Sequence, residues 1–184
     1  MLRLIKGWPV AIIGSGHAGI AAVINTLVEI ATTRTSGADV IKVLVVDTKN
    51  PQPELGAPYP MNGINPDDLH PFMTPRPPPG FVTYGEYVRR MADALEGRLT
   101  DLGEQMFDDA LENPTYQSIS LYLEDAVERA ITAAVDKVDV VTDERQLSDV
   151  RLDRQSGLAR VEYADGSHVL VLPVVAERPP HMGG

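Results

Sequence analysis

The chain contains no cysteine. That removes disulfides, thiolate catalysis and thiolate metal sites together, and a reducing cytoplasm is the expected setting. Basic residues are short as well: 16 Lys and Arg face 26 Asp and Glu, a net charge of −10. An acidic surface repels nucleic acid and anionic membranes, and there is no basic stripe with interleaved aromatics, so neither is an expected partner. Nor is there a long uninterrupted apolar run. Arg3 and Lys6 precede an apolar stretch from Val10 in the manner of a signal peptide or membrane span, but three glycines, His17, Asn25 and Glu29 interrupt it. A bilayer helix bears such residues poorly. His70, His168 and His181 are scattered without the paired spacing of a metal site, and no metal is expected. No Ser-His-Asp arrangement, internal repeat or second glycine-rich turn is legible.

What is present is organised around Val10-Ala11-Ile12-Ile13-Gly14-Ser15-Gly16-His17-Ala18-Gly19, four apolar residues running into a Gly-x-Gly-x-x-Gly turn. The pattern predicts a strand breaking into a helix. Gly14 makes the tight turn, Gly16 admits a pyrophosphate to the backbone, and Gly19 lets the helix pack closely. The helix amides then face the phosphates. Ile20, Ile24, Leu27, Val28 and Ala31 continue at helical spacing to a Ser36-Gly37-Ala38-Asp39 turn, and a second apolar run, Val40 to Val46, closes on Asp47. An acid there accepts hydrogen bonds from both hydroxyls of an adenosine ribose and repels a 2′-phosphate, so a dinucleotide site without that phosphate is expected.

At 184 residues the chain suffices for one well-buried core, and a single domain over 1–184 is expected. Residues 48–81 interrupt it as a proline-rich loop: ten of the fifteen prolines fall between Pro51 and Pro79. Its apolar members, including Tyr59, Ile64, Leu69, Phe72 and Phe81, are too many for a free linker, and it is expected across the carboxyl edge of the sheet. Helical spacing returns from Thr83 to about Leu99, with Tyr87, Met91, Ala94 and Leu95 as the buried stripe. Pro114 suits a helix start. The next helix, Thr115 to Asp136, buries Ile119, Leu123, Ala126, Val127, Ala130, Ile131 and Ala134. Val138 to Thr142 is a strand, followed by period-two runs at 150–152, 159–163 and 169–172, with hairpin turns at Ser156-Gly157 and Asp165-Gly166. Pro173 to Ala176 reads as a last short strand.

This order resembles the flavin-binding half of two-dinucleotide-site flavoproteins. More narrowly, it resembles a family of FAD/NAD(P)-binding domain proteins found among bacterial oxidoreductases and related to flavin-dependent monooxygenases. The family positions look like Asp47, Gly56-Ala57-Pro58-Tyr59, Asn65, Met73, Phe81, the tyrosines Tyr116 and Tyr122, and the strand Val138 to Thr142, whose backbone contacts the adenine in that family. The resemblance implies a Rossmann-like α/β fold with an antiparallel meander. It also implies FAD as cofactor, held by Gly14, Ser15, Gly16, His17, Ala18, Gly19, Asp47, Tyr59, Asn65 and Val141. Two departures stand beside it. The usual Ala-Thr-Gly after the last strand is replaced by Ala176-Glu177-Arg178, and full members are roughly twice as long, with a further domain that brings substrate or nicotinamide to the flavin.

His17 fits either a contact to the ligand or an ordinary helix N-terminal slot, and Tyr59 fits cofactor contact or core packing. His70 or the Asp67-Asp68 pair could serve a catalytic role, although a solvated loop pair is the plainer reading of the acids. No catalytic residue is assigned. The expected function is an FAD-binding domain or subunit of an oxidoreductase, monooxygenase-like or dehydrogenase-like, completed by a partner chain or a second copy. The alternative is a catalytically incomplete subunit with a binding or assembly role. An NAD-binding dehydrogenase fragment is a third reading.

Overall fold

The computed structural model describes residues 8–14, 16–34, 39–46, 64–74, 76–95, 111–112 and 114–174. The chain divides into two compact units, Met1–Asn50 with Ile131–Gly184, and Pro51–Ala130.

The first unit is built on six strands: β1 Val10–Ile13, β2 Ile41–Val46, β3 Val138–Asp143, β4 Leu147–Leu152, β5 Ala159–Tyr163 and β6 His168–Val174. They form one sheet in the order β3-β2-β1-β6-β5-β4. The four strands from β3 to β6 pair parallel, while β4, β5 and β6 form an antiparallel meander. Helix α1, His17–Thr33, links β1 to β2. Apolar runs with β-branched residues suit strands buried on both faces. On one face Ala11, Leu44 and Val46 pack with Ala159, Val161, Tyr163 and Val171 of the meander. Alternation gives the other face Val10, Ile12, Ile41 and Val43, the side for the buried α1 residues Val23, Ile24, Leu27 and Ile30. Each such side chain contributes about 1.5–3 kcal/mol by burial. Lys137 Nζ donates to the Ala31 carbonyl at 2.6 Å, placing a cation at the carboxyl end of α1.

Strand β6 belongs to both ladders: residues 168–171 pair with β5 and Leu172 to Val174 with β1. The expected separate strand beginning at Pro173 is therefore the end of β6. Leu172 donates its N–H to Pro9, so the ring nitrogen of Pro173 points to the opposite side, beyond the last β5 partner, where no ladder bond is lost. The Asp165-Gly166 hairpin also differs from a two-residue turn. Tyr163 N donates to Ser167 O at 3.0 Å and Gly166 N to Tyr163 O at 3.0 Å, with Gly166 at φ 82. This is the three-residue loop whose third residue takes a left-handed conformation.

The second unit contains a turn-rich segment from Ile64, helix α2, Tyr84–Leu95, and most of helix α3, Tyr116–Ala133, whose last three residues belong to the first unit. Thr115 and Ser118 cap α3 reciprocally, each hydroxyl accepting the other's backbone N–H at 3.1 Å. Pro114 is thus one residue outside the cap rather than at the first helical position. The buried face of α3 is Ser118, Ile119, Tyr122, Leu123, Ala126 and Ala130; Val127 is half-buried and Ile131 is exposed. Among the described residues of α2, Tyr84, Gly85 and Val88 are buried, while Tyr87 and Met91 are half-buried. Tyr84 N donates to Leu69 O, and its hydroxyl bonds Ser118 Oγ at 2.6 Å, which turns the helix so that Tyr84 faces inward.

Candidate functional site

The β1–α1 turn begins at Gly14, whose N–H donates to the Val46 carbonyl at 3.0 Å and ties the end of β1 to the end of β2. Gly14 has φ 112, a left-handed conformation that side chains resist, yet a Cβ there would meet nothing within 4 Å. Gly19 is the reverse case. A Cβ on it would lie 2.0 Å from the Gly14 carbonyl oxygen, so space and not conformation demands glycine. Gly16 caps α1 at φ −70 and ψ 174, extended backbone open to any residue, and its carbonyl accepts the first helical bond from Ile20. Among the described residues the first turn of α1 carries no acid, and Gly16, its N-cap residue, has no side chain with which to cap it. The helix dipole there favours an anion.

His17 is half-buried at the first position of α1, and burial lowers its pKa, so it is neutral at pH 7. Ala18 is exposed. Val141 lies in β3 opposite Leu44 and packs half-buried against the cluster between sheet and meander. Ser15, Asp47 and Tyr59 lie outside the described residues, as does the 175–178 stretch.

Asn65 is in the second unit, where its side chain builds a turn. Asn65 Oδ1 accepts the Asp67 N–H at 3.2 Å, and Asn65 Nδ2 donates to Asp68 at 2.6 Å. Asp67 in turn receives a two-pronged bond from Arg89, at 2.7 and 3.2 Å. His70 Nδ1 accepts the Phe72 N–H, and its ring stacks at 6.2 Å on Phe72. Among the described residues no group of three His, Asp or Glu could hold a metal ion, and no helix is long and apolar enough to cross a membrane.

Sequence reasoning missed one cluster in the first unit. Asp143 ends β3 and is buried, accepting from Arg145 Nε at 2.9 Å, Arg145 Nη2 at 2.5 Å and the Tyr163 hydroxyl at 2.6 Å. The Arg145 bonds hold its carboxyl well below the usual range, helped by Tyr163 and opposed by burial. Tyr163 is pushed up to about 12, by burial and then by Asp143. The D-x-R spacing was the only signal; nothing marked Tyr163 as its partner across 20 residues.

No family profile matches this chain, and no curated protein matches it. Solved structures of similar fold exist. The lysine monooxygenase NbtG from Nocardia farcinica is 12% identical over 89% of this chain and 40% of its own, with a TM-score of 0.49. An oxidoreductase from Agrobacterium tumefaciens is 15% identical over 96% and 40%, at 0.37. OTEMO in complex with FAD and NADP is 14% identical over 97% and 28%, at 0.41. The chain spans two fifths or less of each of these structures. A mostly parallel sheet with a glycine turn between β1 and α1, extended by an antiparallel meander, is a Rossmann-like FAD/NAD(P)-binding architecture.

Proposed function

We propose that this chain is the FAD-binding part of an oxidoreductase, of monooxygenase or dehydrogenase type, working in the cytoplasm and completed by a partner chain or a second copy. The observation that carries the reading is the pairing of Gly14 and Gly19: one supplies a left-handed turn, the other lets the helix start so near it that a Cβ would lie 2.0 Å from the Gly14 carbonyl oxygen. Together they bring the N-terminus of α1 to the carboxyl ends of β1 and β2, a cradle of backbone amides that suits a diphosphate.

In this reading the amides from Gly16 to Gly19 hold the diphosphate and Asp47 accepts the ribose hydroxyls. Neutral His17 adds no charge, so the amides carry the anion recognition. Asn65, which has a second amide N–H beyond the one bonded to Asp68, and Tyr59 stand as further contacts. FAD, when bound, supplies hydride and electron transfer through its isoalloxazine ring. Reduction also needs a donor held against that ring, which is the reason for proposing a partner.

Absorbance in the visible range, before and after adding FAD, tests the reading. Protein from cells is expected to be yellow, or to become so. A colourless preparation that takes up no FAD overturns it. Asp47→Ala weakens FAD by about 1–3 kcal/mol, the scale of a lost charged hydrogen bond, and competition between NAD and FAD separates a flavoprotein from a nicotinamide-binding one. Glu177 and Arg178 in place of Thr-Gly favour a second reading, a subunit kept for assembly. It expects a stable heteromeric complex and no flavin reduction by any nicotinamide donor.

A further inference from the structure

Asp143, Arg145 and Tyr163 have no part in the reading above. We propose that the outward face of the Arg145 guanidinium is a stacking platform for the adenine base of a bound nucleotide. The inference rests on the dinucleotide reading of the β1–α1 turn and adds a residue that takes the base.

Position is the first argument. Gly14 bonds Val46, the last residue of β2, and Val46 is the register partner of Asp143, the last residue of β3. The turn, the end of β2 and the end of β3 therefore lie side by side on the carboxyl edge of the sheet, about 5 Å apart from strand to strand. Arg145 follows two residues beyond.

Fixation is the second. One edge of the guanidinium is held by Asp143, through Nε and Nη2, and Nη1 donates to Ser167 Oγ at 3.1 Å. Tyr163 covers one face, its ring centroid 3.7 Å from the guanidinium carbon. The side chain is nevertheless 45% exposed. With those bonds in the plane and one face occupied, that exposure belongs chiefly to the opposite face.

Charge is the third. Asp143 offsets the guanidinium charge, and Asp165 stands behind Ser167, bonded to its hydroxyl at 2.5 Å. A phosphate gains little from a cation so matched. A neutral flat ring gains dispersion and cation–π attraction from a plane already immobilised.

Calorimetric titration of the full chain with ADP and with UDP tests the proposal, since the two carry the same charge and sugar and differ in the base. Arg145→Lys keeps the cation and removes the plane. It is expected to lower the ADP-to-UDP affinity ratio about tenfold, within the range for one base stacked on a side chain. Equal losses for both nucleotides, or no loss for ADP, overturn the platform. Should the variant fail to fold, photolabelling of the unaltered protein with an azidoadenine analogue of ADP decides. Label between Asp143 and Leu147 supports the proposal, and label confined elsewhere overturns it. Protein that binds neither ADP nor FAD overturns the dinucleotide reading as well, whereas FAD binding without an Arg145 effect removes the platform alone.

Discussion

The two units are held together by different means. In the first, β1, β2, β3 and β6 are joined by backbone ladders, and their apolar side chains alternate between two covered faces. In the second, among the described residues, isolated bonds make the joins: the backbone bonds of Tyr84 to Leu69 and Gly85 to Pro66, and single side-chain contacts. Tyr84 meets Ser118, the Tyr122 hydroxyl donates to Val82 O at 2.7 Å, and Asn65 folds its own turn. A ladder spreads its stability over many equivalent bonds, while a hydroxyl concentrates it in one. The first kind of unit is sensitive to shape at a few glycines, and the second to the removal of single oxygens.

The largest expected effect breaks the first unit at its turn. Gly19→Ala puts a carbon against a backbone oxygen that cannot swing away, and a loss of about 3 kcal/mol or more is expected in denaturant unfolding. Asp143→Asn comes next, at about 2–3 kcal/mol, because the buried group then accepts from Arg145 and Tyr163 without its charge. The pH dependence follows from its depressed pKa. The carboxylate contribution is complete above the usual carboxylate range and is lost as pH falls through that range toward the lower folded value. The Asn variant should therefore show a flatter acid limb in a plot of stability against pH.

In the second unit, Tyr84→Phe costs about 1 kcal/mol and Ser118→Ala more, since it also removes the cap bond from Thr115; the double variant costs less than their sum because the bond between the two hydroxyls is lost only once. Additive losses would show that the hydroxyls are satisfied elsewhere. The smallest effect is at the surface. Asp67→Asn removes an ion pair whose partners are more than half exposed, and the unfolding midpoint is expected to stay within error, with no dependence on salt.

Legibility in the sequence divided along the same line. Val10 to Ile13, the glycine spacing and the alternation of Ala159, Val161 and Tyr163 announce their elements, because period and turn chemistry are local properties. In α2 Tyr84 and Val88 are buried more fully than the expected Tyr87 and Met91, which are half-buried, while the side chains of Ala94 and Leu95 lie outside the described ones; Tyr84 is held by Leu69 and Ser118, which no helical period encodes. Tyr163 was visible as an inward residue of β5, but its bond to Asp143 depends on the meander folding back over the sheet. At the candidate site Gly14 and Gly19 could be assigned distinct needs from spacing. Ser15, Asp47 and Tyr59, outside the described residues, rest on the sequence alone.

The shared strand β6 also governs when the molecule can assemble. Val10 finds its partner Leu172 only after everything between them has been synthesised, so one flank of β1 stays without that mate until then. Contacts so distant in sequence form slowly, and a bare strand edge invites pairing with other nascent chains. The expected consequence of stitching two ladders with one strand is a need for chaperones during production, relieved once His168 to Val174 has emerged.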